Sequence, residues 1–115
     1  GSGKQVRDVL YVGDLVRAFD AFLQGKGDPG VYNIGGGPNN TLSLLELLDT
    51  LERLGSKKPL IGFGDWRKSD QKIYISDVSK AKRQLAWEPE VSPEEGVKKL
   101  VSWVRSNAHL FVDGA

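Results

Sequence analysis

Two arginines and one aspartate are the residues of this chain with the types and spacing to bind an anionic ligand. Arg7 lies in the extended segment VRDVLYV, and Arg67 lies in the loop GDWRKSDQ with Asp70 three residues later. A guanidinium presents a planar fork of N–H donors that matches phosphate oxygens, and a carboxylate can accept hydrogen bonds from sugar hydroxyls. The spacing also fits an exposed Arg–Asp pair of little energetic value, and the residues alone favour that simpler interpretation.

A run of three glycines is the second candidate for ligand binding. The glycines at positions 35–37 follow a predicted strand and precede a predicted helix, which is the context of a dinucleotide-binding turn. The spacing does not match, because the third glycine of G-x-G-x-x-G would fall on Asn40. We interpret the run as a permissive turn; the alternative is a set of backbone amides that binds an anion.

Composition and charge narrow the classes of protein and partner. The chain has 115 residues, the usual size of one domain, and its 16 Lys and Arg balance 15 Asp and Glu. Without a strong positive field, neither nucleic acid nor a membrane is expected as a partner. The lack of cysteine excludes disulfides and thiolate chemistry, and the single histidine, His109, leaves no His-rich metal site. The apolar runs are too short for a membrane span and no signal peptide opens the chain, so we expect a cytoplasmic protein.

The elements that position these residues follow from the periodicity of apolar residues. Segments rich in β-branched and aromatic residues indicate strands, and apolar residues at three- and four-residue intervals indicate helices. The predicted strands span residues 6–12, 31–34, 59–63 and 72–75, and the predicted helices span residues 15–23, 44–54, 78–85 and 93–104. The order β-α-β-α-β-β-α-α indicates a small mixed α/β domain.

Several helix boundaries carry their own signals. Asp14 and Asp77 are placed as N-caps of the first and third helices. Ser43 and Glu46 have the spacing of a capping box for the second helix, which Gly55 ends.

The last helix has three agreeing signals at its start. Ser92 is the predicted N-cap, Pro93 takes the first helical position, and Glu95 follows at the third. The predicted buried stripe of this helix consists of Val97, Leu100, Val101 and Val104, with Trp103 beside it.

Three phrases in this order resemble a known family. They are GKQVRDVLYVGDL, VYNIGGGPNNTLSLLELL and WRKSDQKIYISDVSKAKRQLAWEP. Together they look like the carboxy-terminal portion of an extended short-chain dehydrogenase/reductase (SDR) that acts on nucleotide sugars. Within that family, GKQVRDVL and the R-x-S-D-Q phrase at positions 67–71 are most similar to the CDP-paratose (CDP-tyvelose) 2-epimerases. The resemblance covers residues 3 to about 105.

The resemblance implies a function for the residues named first. Such enzymes hold NAD, which transiently oxidises a sugar carbon and returns hydride to the opposite face, here at C2 of a CDP-linked dideoxyhexose. In this family an arginine of the V-R-D phrase and the arginine of an R-P-G-D-like phrase bind the diphosphate, and the aspartate meets the ribose. Those substrate-binding roles fall on Arg7, Arg67 and Asp70, while Asp8 and Asp14 are expected to have structural roles.

The resemblance also assigns a role to the loop GDWRKSDQ as a clamp on the nucleotide sugar. Trp66 is expected to support this loop by packing, and stacking on the base is the alternative. Two positions near the site depart from the family pattern. Lys68 and Ser69 replace the common Pro-Gly pair. A third departure is Gly13, which stands where many relatives carry aspartate.

The larger departure is in what the sequence lacks. It contains no G-x-x-G-x-x-G turn, and no tyrosine is followed four residues later by lysine. We therefore expect residues 1–115 to form a single carboxy-terminal substrate-binding domain without the amino-terminal, NAD-binding Rossmann half. NAD would belong to the full-length parent enzyme. The fragment alone should bind no NAD and should not catalyse epimerisation.

The resemblance finally predicts partners. The first helix and the 31–34 strand normally complete the Rossmann domain, so their apolar faces are expected to lack cover, which the missing half or a homodimer would supply. The expected ligand is a nucleotide-diphosphate sugar, with a CDP-linked one favoured. Two classes of function stay open. One is the substrate-binding part of a 2-epimerase, or of a related 4-epimerase or 4,6-dehydratase; the other is a stand-alone, non-catalytic interaction module.

Overall fold

The computed structural model describes residues 1–55, 57 and 59–112. Its strands are β1 (Val6–Asp8), β2 (Thr41–Ser43) and β3 (Ile73–Tyr74), and its helices are α1 (Val12–Leu23), α2 (Leu44–Gly55), α3 (Ser79–Leu85), α4 (Pro93–Ser106) and α5 (His109–Val112). The three strands form one mixed sheet in the order β2-β1-β3, with β1 antiparallel to β2 and parallel to β3. The predicted fold class, a small mixed α/β domain, is confirmed.

Two helix starts have the predicted capping contacts. The Ser43 hydroxyl accepts a hydrogen bond from the Glu46 backbone N–H at 3.1 Å, and the Glu46 carboxylate accepts one from the Ser43 backbone N–H at 2.6 Å. The Ser92 hydroxyl accepts from the Glu95 backbone N–H at 3.2 Å, one residue before Pro93 begins α4. Both predictions are confirmed because these contacts depend on residues within one turn of each other.

The prediction that Asp14 is an N-cap is wrong. Helix α1 begins at Val12 with Tyr11 as its N-cap, and the Tyr11 carbonyl accepts from the Asp14 backbone N–H at 2.9 Å. Asp14 therefore lies inside the first turn. The start of α3 is displaced as well, since its N-cap is Val78, but the Asp77 carboxylate still accepts from the Ser79 backbone N–H at 3.0 Å.

Two predicted strands are not strands in the structure. Residues 31–34 and 59–63 have no strand partner among the described residues. A strand needs a neighbouring strand to satisfy its backbone groups, and Val31 is 83% exposed, although Tyr32 and Ile34 are partly buried against the core. The short strand β2, which pairs with β1, was missed because its three residues lead directly into the capping box of α2.

The core lies between α1, α3 and the segment that follows α3. We call the buried set the α1–α3 core; it consists of Ala18, Ala21, Ala81, Leu85 and Trp87. Alanines at the helix contact allow α1 and α3 to approach closely, and the indole N–H of Trp87 donates to the Asp14 carbonyl at 2.8 Å. This hydrogen bond satisfies the polar atom of a side chain that is only 1% exposed.

The bulky apolar residues are largely outside this core. On α1 the small residues face inward, and the large ones are exposed: Val12, Val16, Phe19, Phe22 and Leu23. These exposed side chains form the face for which a covering partner is expected. The predicted buried stripe of α4 is wrong, because none of the described residues of that helix is buried and Leu100 is 58% exposed. Each helix within the described residues is too short or too polar to span a bilayer.

Candidate nucleotide-sugar site

The central strand of the sheet presents Arg7 at the candidate site. Arg7 is paired with Leu42 on β2 and with Tyr74 on β3, so its backbone is fixed on both sides. Its Nη1 donates to the Val6 carbonyl at 2.9 Å, and its Nη2 donates to the Asp70 carboxylate at 3.0 Å. The fold thus joins two predicted site residues that are 63 positions apart in the sequence.

The Arg7–Asp70 pair is neither buried nor fully solvated. Its two side chains are 35% and 32% exposed. An ion pair in that environment contributes about 0–1 kcal/mol to stability. Its small energetic value makes it a contact that a ligand can rearrange.

Arg67 and Asp70 are the ends of a tight turn. The Asp70 backbone N–H donates to the Arg67 carbonyl at 3.1 Å, and Ser69 has a φ of +66°. A positive φ at the third residue is the requirement of a type II turn, and glycine meets it without steric conflict. This explains why Pro-Gly suits the two central positions, and it means that Lys68 and Ser69 hold the same turn under local strain.

The Arg67 side chain extends from this turn into solvent. It has no hydrogen-bond or ion-pair partner within the ranges that the structure describes. The structure therefore brings Arg7 and Asp70 into contact and leaves the Arg67 side chain exposed at the other end of the turn. The role of all three residues in substrate binding stays a prediction.

The side chain of Trp66 is partly packed and partly exposed. A Cβ added to Gly1 would lie 3.2 Å from the indole ring, so one side of the ring rests on that backbone. The Lys72 ammonium lies 5.8 Å from the ring centroid, within the range of a cation–π contact. The side chain nevertheless stays 41% exposed. Loop support and base stacking therefore both stay open for this residue.

The glycine turn at positions 35–37 is used inside the protein. A Cβ on Gly36 would lie 2.1 Å from the Val9 carbonyl oxygen, a distance at which neither group fits. The Gly37 backbone N–H donates to the Asp8 carboxylate at 3.0 Å. Burial raises the pKa of Asp8, but hydrogen bonds from Gly37 and Ser76 outweigh it, so the pKa falls below its ordinary value. These contacts favour the permissive turn.

Asp14 has the structural role that the resemblance implies. It is 2% exposed, and its carboxylate accepts from the backbone N–H groups of Glu90 and Val91 and from the Arg17 guanidinium. Burial alone would raise the pKa of Asp14, but these hydrogen bonds, led by the one from Arg17, lower it overall. The carboxylate fixes the segment after Trp87 against α1. Sequence patterns gave no signal for this burial.

An apolar cavity of about 330 Å³ lies between the segment that follows β1, strand β2 and helices α2 and α4. Leu42 lines it, and because directly paired residues of an antiparallel ladder lie on one face, the cavity and Arg7 share a face of the sheet. The polar side chains of its lining are Tyr11 and Ser92. Because no charged side chain of the described residues lines the cavity, an anionic ligand on this face would bind near Arg7 and not inside the cavity.

This chain is similar in sequence to several known proteins, but it matches only part of the length of each. The family model for GDP-mannose 4,6 dehydratase matches residues 1–100. UDP-glucuronate 4-epimerase of Thermodesulfobacterium geofontis is 41% identical, over 96% of this chain and 34% of that protein. CDP-paratose 2-epimerase of Salmonella typhi is 37% identical, over 92% of this chain and 32% of that protein. The chain thus spans about a third of the length of the curated relatives it matches.

A solved structure extends the similarity to the fold. UDP-glucuronic acid 4-epimerase from Bacillus cereus, in complex with UDP-glucuronic acid and NAD, superposes with a TM-score of 0.83 at 30% identity, over 92% of this chain and 34% of that one. The identity to the UDP-glucuronate enzyme exceeds that to the CDP-paratose enzyme. The particular likeness to the 2-epimerases, inferred from short phrases, is therefore not singled out over the whole chain.

Proposed function

The chain belongs to the GDP-mannose 4,6 dehydratase family of NAD-dependent sugar-nucleotide epimerases and dehydratases, and on this premise we propose that it is the nucleotide-sugar-binding part of an epimerase. The observation that carries the proposal is the contact between Arg7 and Asp70 beside the exposed Arg67 turn. Arg7 and Arg67 would bind the diphosphate, and Asp70 would accept a hydrogen bond from the ribose. Two guanidinium forks and one carboxylate match these two ligand groups.

NAD would be held by the part of the parent enzyme that this chain does not span. The glycine turn does not fit a dinucleotide, because its Gly37 amide is engaged by Asp8 and Gly36 lies against Val9. The NAD in the Bacillus cereus 4-epimerase supports NAD as the cofactor of the parent enzyme. The 115-residue chain, which has no Tyr-x-x-x-Lys pair, is expected neither to bind NAD nor to epimerise a sugar.

The identity of the nucleotide base is the more specific part of the proposal. The R-x-S-D-Q phrase at positions 67–71 supports a CDP-linked sugar and a 2-epimerase. The higher identity to a UDP-glucuronate 4-epimerase supports a UDP-linked sugar instead. We propose CDP as the preferred nucleotide, and a 4-epimerase or 4,6-dehydratase of the same family is the alternative.

A nucleotide titration tests the site. The isotope-labelled chain would be titrated with CDP and with UDP, and the backbone amide shifts would be followed in the native protein, Arg67→Ala and Lys68→Ala. Lys68→Ala is the matched control, because it removes an equally charged, exposed side chain from the same turn.

We expect saturable shifts at residue 7 and at residues 64–71 in the native chain. Arg67→Ala should weaken binding by about tenfold or more, the effect of losing a hydrogen bond between charged groups, and Lys68→Ala by less than about threefold. The nucleotide that binds more tightly identifies the base. Absence of saturable shifts with either nucleotide at millimolar concentration would contradict the proposed function.

The exposed face of α1 supports a second candidate function, an assembly module. Phe19 and Leu23 are exposed on the same helix, and a contiguous apolar surface of this kind is typical of an interface. We propose that the amino-terminal half of a parent enzyme covers this face, and that a second copy of the chain covers it otherwise. Sedimentation velocity should show self-association that Phe19→Asp weakens. A monomer at high protein concentration would contradict self-association.

A further inference from the structure

The contact between Arg7 and Asp70 uses one of the two N–H groups on Nη2, the Arg7 nitrogen that a phosphate would also need. An arginine grips two phosphate oxygens through one of two edges, the Nε–Nη2 edge or the Nη1–Nη2 edge, and Nη2 belongs to both. In this structure Nη2 donates to Asp70, and Nη1 donates to the Val6 carbonyl. A phosphate that binds Arg7 at two points must therefore also use Nη2, and it would lie beside the Asp70 carboxylate on the same nitrogen.

We propose that Asp70 is an internal competitor for Arg7, so that the carboxylate holds the guanidinium until a polyanionic ligand displaces it. This inference rests on the proposed function and adds to it a residue that determines specificity. Asp70 would have two successive partners, Arg7 before the ligand binds and the ribose afterwards.

The charges around the pair support displacement over simultaneous binding. A carboxylate and a phosphate on neighbouring N–H groups of one guanidinium repel each other, because both are anionic and only a few ångströms apart. The pair is about one third exposed, so water can solvate the released carboxylate and the exchange requires no burial of an unpaired charge. Arg67 lies at the other end of the same turn and can attract the incoming anion.

This exchange would make the site prefer ligands that carry more negative charge. A weakly charged anion gains too little from Arg7 to replace the carboxylate, whereas a diphosphate can engage Arg7 and Arg67 together. Removal of the Asp70 charge should therefore raise the affinity for inorganic pyrophosphate, which carries no ribose. If Asp70 served only to bind ribose, its removal would act on pyrophosphate no more than the loss of any other nearby negative charge.

The experiment compares pyrophosphate binding in two isosteric variants, Asp70→Asn and Asp65→Asn. Asp65 is an exposed carboxylate of the same loop, and no described residue pairs with it. Asp65→Asn therefore measures the general electrostatic effect of one lost charge. Dissociation constants would come from amide shift titrations with sodium pyrophosphate at constant ionic strength, because exposed charges are screened by salt.

We expect Asp70→Asn to bind pyrophosphate about twofold to fivefold more tightly than Asp65→Asn, the range that corresponds to an exposed ion pair. The gain should vanish when Arg7 is replaced as well, in a comparison of Arg7→Gln with Arg7→Gln/Asp70→Asn. A second measurement needs no ligand: the side-chain nitrogen signals of Arg7 should move in Asp70→Asn and stay in place in Asp65→Asn.

The outcomes separate this inference from the proposed function. Equal pyrophosphate affinity in the two variants, or no saturable pyrophosphate binding in any form, would overturn the competitor role. If CDP or UDP still bound the native chain, the proposed function would stand. If neither nucleotide bound but Asp70→Asn gained pyrophosphate affinity through Arg7, the competitor role would stand and the nucleotide-sugar function would fall.

Discussion

The α1–α3 core and the loop GDWRKSDQ (residues 64–71) use the same residue types in opposite environments. Trp87 is buried in the core, whereas Trp66 keeps an open surface in the loop. Asp14 accepts three hydrogen bonds away from solvent, whereas Asp70 holds one partner at the surface. The difference teaches that the residues that stabilise the fold and the proposed ligand-binding residues lie in separate parts of the chain, so that substitutions in one part should leave the other nearly unchanged.

The two tryptophans give the largest contrast. Trp87→Ala should lower the free energy of unfolding by about 3–5 kcal/mol, because it opens a cavity in the core and removes the hydrogen bond to the Asp14 carbonyl. Trp66→Ala should lower it by less than about 1 kcal/mol, since the ring is already partly in water. Urea unfolding of both variants measures the difference. Similar losses would mean that the loop is part of the folding unit.

Two glycines test the same contrast through the backbone. Gly36→Ala should destabilise the fold by about 3 kcal/mol, because the new Cβ meets the Val9 carbonyl and the turn must move away from β1. Gly62→Ala should change the free energy of unfolding by less than about 0.5 kcal/mol, since a Cβ there meets open space. Thermal unfolding followed by circular dichroism would check both. A tolerated alanine at position 36 would contradict the close packing of the glycine turn.

The two aspartates differ in stability and in pH dependence. Asp14→Asn should lower the free energy of unfolding by about 2 kcal/mol, because charged hydrogen bonds to Arg17 and two backbone amides are weakened. The equivalent change at Asp70 should have an effect below about 1 kcal/mol.

The pH dependence has a defined sign. The pKa of Asp14 is lower in the folded chain than its ordinary value, so its ionised form stabilises the fold above the ordinary carboxyl range and this stabilisation is lost as the pH falls below about 4. Urea midpoints of the native chain and Asp14→Asn should therefore converge at acidic pH. A difference that is constant from pH 7 to pH 3 would contradict the assignment.

Two residues with positive φ should give the smallest difference in the free energy of unfolding between the core and the loop. Ala86 ends α3 with a φ of +51°, and Ser69 occupies the loop turn with a φ of +66°. Ala86→Gly should raise the free energy of unfolding by about 1 kcal/mol, because glycine removes the left-handed strain. Ser69→Gly should raise it by less, since the strained turn lies in the exposed loop. A loss of stability at position 86 would contradict the strain.

Sequence patterns predicted the features that depend on near neighbours. The capping contacts of Ser43 with Glu46 and of Ser92 with Glu95 were predicted correctly, because each joins residues three positions apart. The 31–34 strand failed for the opposite reason. Its apolar pattern is genuine, but a strand exists only where a neighbouring strand pairs with it, and periodicity carries no information about that neighbour.

For the candidate site, the sequence proposes the members but does not predict the contacts between them. Resemblance to a family placed Arg7, Arg67 and Asp70 at one site, and the spacing of Arg67 and Asp70 suggested that these two would pair. The structure pairs Asp70 with Arg7 instead, through the parallel alignment of β1 with β3. A long-range contact of this kind depends on strand register, which short sequence windows do not specify.

The central position of β1 has a consequence for the order of folding. Its two neighbours come from later, distant parts of the chain, and closing such long loops delays sheet formation relative to the local helices. We therefore expect the Arg7–Asp70 contact to form after the local helices. A ligand that binds both residues would hold β1 and the turn before β3 together. It would lower the rate of unfolding more than it raises the rate of folding.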